Sequence, residues 1–394
     1  MYEIKKLENG LENIDGFYFD GVNSGFKKDG NDLGFIRSDE AVDVSAIFTS
    51  NKFPAAPIRH FLKYPKNFKT NFILLNSKNA NSMTGEAGVK DIDEIFTALG
   101  KKIALINPIM SSTGVIGYRL NKEKITKGLK NLNFTKRDSN AVVNAIMTTD
   151  SFKKELAYEI NLTNKGKFKI AAICKGAGMI NPALATMLCF ILTDADIAKE
   201  DMDELLKQSV LTSFNAVSVD GDTSTNDTVM LLSSKKSGVY DKQAFKDVLN
   251  LITKELAIML VKDGEGATKV VEFKVKGAKD DKQAQTAAKA LANSLLVKTA
   301  IFGEDPNWGR IASTIGASGI ECDEEKLSIY YDDVLVYSKD FKELDKYRES
   351  LAHDVMKKPS YTITCNIGIA NSCFSAYGCD LGHKYVSINA DYRS

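Results

Sequence analysis

Residues 174–196 read Cys174-Lys-Gly-Ala-Gly-Met-Ile-Asn-Pro-Ala-Leu-Ala-Thr186-Met-Leu-Cys-Phe-Ile-Leu-Thr-Asp-Ala-Asp196. Lys175 sits in a glycine-rich bend with Gly176 and Gly178, and Pro182 leads into an apolar run from Ala183 to Leu192. One hydroxyl, Thr186, interrupts that run directly after the small residue Ala185. A threonine hydroxyl is a weak nucleophile and needs a base. Cutting the chain just before it frees an α-amine with a reference pKa of about 7.7–8.0, within reach of its own hydroxyl. The competing reading is a core threonine whose hydroxyl bonds a backbone carbonyl. The stretch alone does not choose between them.

Working outward, the chain has 394 residues, 44% hydrophobic and 26% charged, enough to bury a core and too apolar for disorder. Length allows two or three domains, or one large sandwich with an appendage. The net charge of +1, from 52 basic and 51 acidic residues, gives no electrostatic reason to expect nucleic acid or a membrane surface. Met1-Tyr-Glu-Ile-Lys-Lys lacks an apolar segment, so a secretory signal is not expected. The longest apolar runs fall short of the roughly 18–20 residues of a membrane span. Six cysteines form no C-x-x-C pair and read as thiols of a reducing compartment, so a cytoplasmic location is expected. The histidines His60, His353 and His383 have no metal-ligand spacing, and no Gly-x-Ser-x-Gly elbow appears. No metal is expected, and an acyl-transfer enzyme of this composition would use a base other than histidine.

Several loops repeat one composition. Asn76-Ser-Lys-Asn-Ala-Asn-Ser-Met-Thr-Gly85 follows a buried strand at 72–76. Ser111-Ser-Thr-Gly-Val-Ile-Gly117 follows a strand expected at 102–107, and its N–H groups suit either an ordinary turn or a developing oxyanion. Met147-Thr-Thr-Asp-Ser151 closes an apolar helix. Asp220-Gly-Asp-Thr-Ser-Thr-Asn-Asp227 superficially matches a calcium loop, but Thr225 stands where an EF-hand needs glycine, so a structural turn is expected. Periodicity predicts helices over 91–99, 201–214, 242–261 and 281–297, and strands over 270–276, 361–369 and 385–388. Asp263-Gly-Glu-Gly-Ala-Thr-Lys269 lacks phosphate-loop spacing and puts Glu265 on a tight turn, either as a plain turn residue or to capture a cation. Strands and helices alternate without a dinucleotide fingerprint, which argues α/β.

Taken in order, Ser112-Thr-Gly-Val-Ile-Gly117, Lys175-Gly-Ala-Gly-Met-Ile180 with Pro182 and Ala185-Thr-Met-Leu188, Asp222-Thr-Ser-Thr-Asn-Asp-Thr228, Gly264-Glu-Gly-Ala-Thr-Lys269, Lys298-Thr-Ala-Ile-Phe-Gly303 with Asp305-Pro-Asn-Trp-Gly-Arg310, and Asn389-Ala-Asp-Tyr-Arg393 resemble the ornithine acetyltransferases, or glutamate N-acetyltransferases, over nearly the whole chain. The resemblance implies an αββα sandwich of the N-terminal-nucleophile type over residues 1–280 and a smaller α/β subdomain over 281–394. It implies self-cleavage between Ala185 and Thr186, Thr186 as nucleophile, and Thr113 and Gly114 as the oxyanion hole. Thr149, Lys175, Thr186, Glu265, Asn389 and Ser394 match its substrate contacts. N-acetylornithine would donate acetyl to glutamate without a cofactor, in an α2β2 assembly of the two fragments. Whether acetyl-CoA also donates is left open. Two departures stand out: Lys78 replaces a glycine usual in that loop, and the chain ends in Ser394 where threonine is common. The alternatives are an aminopeptidase or amidase of the same scaffold, and a non-catalytic amino-acid binding protein with Thr186 merely buried.

Overall fold

The computed structural model describes residues 1–181, 187–341 and 343–391. Three expected site residues, Ala185, Thr186 and Ser394, lie outside the described residues. The strands are β1 Tyr2–Leu7, β2 Phe17–Val22, β3 Leu33–Phe48, β4 Lys69–Asn76, β5 Ile109–Ser112, β6 Lys154–Leu162, β7 Gly166–Lys175 and β8 Leu188–Thr193. They continue with β9 Val217–Ser218, β10 Thr228–Ser233, β11 Val270–Ala278, β12 Ser328–Tyr331, β13 Val334–Tyr337, β14 Ser360–Asn366 and β15 Ser372–Cys379. The helices are α1 Ala56–Phe61, α2 Gly85–Gly100, α3 Lys122–Leu129, α4 Ser139–Ile146, α5 Lys199–Thr212 and α6 Lys242–Lys262. After them come α7 Asp281–Asn293, α8 Leu295–Phe302, α9 Trp308–Ala317, α10 Lys346–Met356 and α11 His383–Ala390. Two compact units result: 1–176, 187–215 and 223–256 form the first, and 177–181, 216–222 and 257–391 the second.

In the first unit the strand order is β1-β6-β7-β8-β10-β3-β4-β5, with β2 beside β3. The 16-residue β3 pairs with β2 and β4 along its first half and with β10 along its second. Its register against β4 shifts between Arg37 and Val42, a bulge that bends and twists the strand. Side chains alternate across a strand, so each strand divides between two faces. Ile36, Ile73 and Ile109 from one half of the sheet share a buried cluster with Ile173, Phe190 and Met230 from the other. Their sequence neighbours point outward. Phe35, Phe72 and Leu74 pack against Val89 and Ile92 of α2 and Ile125 of α3. On the other half, Phe168 of β7 stacks on Phe245 of α6 with ring centroids 5.8 Å apart. Helices therefore lie outside two sheet halves that face each other across one core, the αββα layering.

The second unit is a smaller α/β layer with strand order β13-β12-β14-β11-β15-β9. β11 lies parallel to β14 and antiparallel to β15. Its Val271, Phe273 and Val275 turn inward onto Ala284, Ala287 and Ala288 of α7, whose small side chains let helix and sheet approach closely. Residues 257–280, expected with the larger domain, belong to this unit, because β11 lies in the middle of its sheet.

Three local expectations differ from the structure. The strand expected at 102–107 begins only at Ile109. Asn107 takes a left-handed φ of +42° ahead of Pro108, and the Asn71 side chain ties up the Ala104 carbonyl and the Ile106 N–H. The helix expected over 281–297 breaks at Ser294, which caps α8 by accepting from the Val297 N–H. Residues 385–388, expected as a strand, lie within α11, where the Asn389 amide donates to the Tyr385 carbonyl one turn back. Among the described residues no helix is long and apolar enough to cross a membrane.

Phe273 is fully buried in the second core. Phe273→Ala should cost about 3–5 kcal/mol, read as a lower urea midpoint at unchanged slope.

Candidate active site

β7 ends on Lys175, which the antiparallel register sets opposite Leu188 of β8, two residues beyond Thr186. What stops the strand there is a buried carboxylate. Asp150, just past the end of α4, accepts from the Gly176 N–H at 2.6 Å and from the Lys154 ammonium at 2.8 Å on one oxygen. Its other oxygen accepts from the Thr148 N–H at 2.9 Å. The side chains of Asp150 and Lys154 are both fully buried. Burial alone would raise the Asp150 pKa, but Lys175 and Lys154 together hold it down to about 2. Thr149 is half-buried directly beside this anchor.

The Lys175 ammonium donates to Thr113 Oγ1 at 3.3 Å. β7 and β5 are far apart in strand order, so this contact exists only because the sheet folds onto itself. The Thr113 turn rests in a polar cradle. The Thr113 N–H donates to the Asn76 carbonyl at 3.0 Å, and Ser112 Oγ donates to Asn76 Oδ1 at 2.6 Å. The Asn226 amide donates to the carbonyls of Ala80 and Ser112 at 2.6 and 2.8 Å. Gly114 takes a φ of +132°, and a Cβ there would lie 2.2 Å from the Lys78 carbonyl carbon, so only glycine fits. Such a pinned turn can present an N–H and a hydroxyl to a developing negative charge.

In the second unit, the Glu265 N–H donates to the Ala177 carbonyl at 2.9 Å. The Asn389 amide donates to Glu265 Oε2 at 2.7 Å. A Cβ at Gly178 would lie 2.5 Å from the Glu265 carboxyl carbon, so the glycine makes room for that carboxylate. Asp220 fixes the same bend: its carboxylate accepts from the Met179 and Ile180 N–H groups at 2.6 and 2.8 Å and from the Tyr385 hydroxyl at 3.2 Å. Burial and the Asp220 charge push the Tyr385 hydroxyl up.

The expected site residues thus fall into two sets. Thr113, Gly114, Thr149 and Lys175 belong to the first unit, and Glu265 and Asn389 to the second. Sequence reasoning missed Asp150, which holds Gly176 in the first unit, and Asp220, which holds Met179 and Ile180 in the second. Their signal was an aspartate inside a hydroxyl-rich loop, which also describes an ordinary turn.

The ArgJ family matches residues 18–394. The arginine biosynthesis bifunctional protein ArgJ of Wolinella succinogenes is 52% identical, over 100% of both chains. The protein of that name from Caldanaerobacter subterraneus is 38% identical, over 98% of this chain and 99% of its own. Among solved structures, the arginine biosynthesis bifunctional protein argJ of Bacillus halodurans is 38% identical with a TM-score of 0.50, covering 52% of this chain and 99% of that one.

The Asp150 carboxyl contributes stability because its folded pKa is depressed from 3.8 to about 2. That contribution, roughly 2 kcal/mol, is complete above the unfolded value and is lost as pH falls through the folded one. Asp150→Asn should flatten the decline in urea midpoint between pH 5 and pH 3. It should also lower stability at pH 7, since the buried Lys154 ammonium loses the carboxylate charge it is bound to.

Proposed function

This chain belongs to the ArgJ family, and we propose that it moves an acetyl group from N2-acetylornithine to glutamate in arginine biosynthesis, through an acetyl ester on Thr186. The observation that carries the reading is the junction in the first unit. Lys175 sits on the strand paired with β8, just past Thr186, and its ammonium reaches the Thr113–Gly114 turn.

The proposed chemistry uses one hydroxyl twice. Thr186 Oγ first attacks the Ala185 carbonyl, and water opens the resulting ester to leave fragments 1–185 and 186–394. The freed α-amine then takes the Thr186 hydroxyl proton as Oγ attacks the acetyl carbonyl. The Gly114 N–H and Thr113 hydroxyl hold the oxyanion, an interaction worth about 3 kcal/mol per donor in comparable sites. As the intermediate collapses, the C–N bond breaks, the proton passes to the departing amine, and ornithine leaves. The α-amine of glutamate attacks the ester in the reverse sense. Lys175 holds the carboxylate common to both substrates, and Glu265 with Asn389 receives ornithine's distal ammonium. Thr149 and Ser394 complete the substrate contacts.

The Bacillus halodurans likeness supports scission, because nearly all of that chain aligns with only half of this one. The relatives' designation as bifunctional supports acetyl-CoA as a second acetyl donor. A cytoplasmic α2β2 assembly that needs no metal or organic cofactor completes the reading.

Mass spectrometry of the mature protein should give two fragments that meet at the 185–186 bond. Thr186→Ala should remain one inactive chain. Processed enzyme given N-acetylornithine and glutamate should make N-acetylglutamate. Acetate as the main product would instead make it a hydrolase. Lys175→Ala should lose at least tenfold in kcat/KM while folding normally, and unchanged kinetics would remove it from the site.

A further inference from the structure

We propose that Lys78 is a specificity contact for the acceptor, its exposed ammonium holding the side-chain carboxylate of glutamate beside the Thr113–Gly114 turn. The inference rests on the transferase reading above and supplies what that reading lacks, a cation for the acceptor's second carboxylate.

Lys78 lies in the loop between β4 and α2 with a φ of +70°. That left-handed conformation is strained for a lysine and free for a glycine. Strain kept at such a position points to a use for the side chain. The fold itself makes none: the side chain is exposed and has no hydrogen bond or ion pair among the described residues. The backbone, by contrast, is held tightly. The Val115 N–H donates to the Lys78 carbonyl at 3.2 Å, and the Lys78 carbonyl carbon is the atom that excludes a side chain from Gly114. The root of this lysine is therefore fixed against the turn assigned to the oxyanion, while its exposed ammonium has no partner among the described residues.

The surroundings favour an anion. Lys27 donates to the carbonyls of Asn31 and Asn144 at 2.7 and 2.9 Å. Burial lowers its pKa to about 8, with Asp32 and Asp150 opposing and Lys78 and Lys175 lowering it further, so the three ammonium groups share one field. The carboxylates nearby are already committed. Asp150 is bound as described above, and Asp32 accepts from Ser24, Phe26 and the Lys27 N–H. A surplus of positive charge beside Thr113 attracts glutamate's side chain and repels ornithine's, the reverse of the preference expected at Glu265.

The test uses processed full-length protein as wild type, Lys78→Gly, Lys78→Gln and Lys78→Arg. Glycine relieves the backbone strain, so loss of folding does not confuse that variant. The KM for glutamate should rise about five- to tenfold in the Gly and Gln variants, the scale of one partly screened ion contact. The Arg variant should stay within about twofold of wild type. The KM for N-acetylornithine, and the KM for glutamine offered as a neutral acceptor, should move less than twofold. An unchanged glutamate KM overturns the proposal. So does a parallel rise for glutamine or N-acetylornithine, which would mark a merely structural role. A rise confined to acetyl-CoA as donor also overturns it, by assigning the charge to a phosphate. Wild-type protein that forms no N-acetylglutamate sinks the transferase reading itself, and this contact with it.

Discussion

One carboxylate oxygen on Asp150, shared between the Gly176 N–H and the buried Lys154 ammonium, decides where β7 stops and where Lys175 points. A fully buried ion pair of this kind adds little net stability, because desolvation offsets most of the attraction. Its value is positional. The Lys154 ammonium and the Gly176 N–H meet on one anion, and the chain leaves the sheet immediately after Lys175. The Thr113 turn is held with equal firmness by Asn76, Ser112 and Asn226. An electrostatic site gains from donors that need no reorganisation when charge develops, and a lysine and a turn both locked by buried polar groups meet that condition.

Taken separately, the two units differ in the charge they hold at these residues. The first unit concentrates ammonium groups around its turn, whereas the second offers Glu265 on a tight bend with Asn389 bound to it. An exchange of amino acids with opposite side-chain charge needs partners of both signs.

The fold class and the loops in question were legible in the sequence. The glycine-rich bend at 175–178 and the turn at 111–117 stand out because glycine and small polar residues are costly inside strands and so mark loops; the lone hydroxyl at 186 stands out too, but it lies outside the described residues. The long helices and buried strands followed from periodicity. What escaped notice has physical reasons. Asp150 and Lys154 are four residues apart, a spacing that reads as a surface pair, and only the fold shows that both are dry. Asp220 was indistinguishable from a turn former until its partners Met179, Ile180 and Tyr385 came to it from distant sequence. The run 385–388 is too short for period two and period 3.6 to be told apart. The boundary near 280 was misplaced because β11 and α7 follow one another without a linker, and only strand pairing assigns them to the same sheet.

The strand order of the first unit carries a last consequence. β8 and β10 lie in its middle, with β7 on one side and β3 on the other. Every other strand of that sheet precedes residue 185, whereas these two follow it. Breaking the backbone at the 185–186 bond therefore does not produce halves that can drift apart. In that sheet the later piece would keep only the β8–β10 pair, and the earlier piece would be left as two disconnected ribbons. Were the bond cut, the two pieces would stay interleaved in that sheet like the fingers of clasped hands, each supplying strands that lie between or beside the other's.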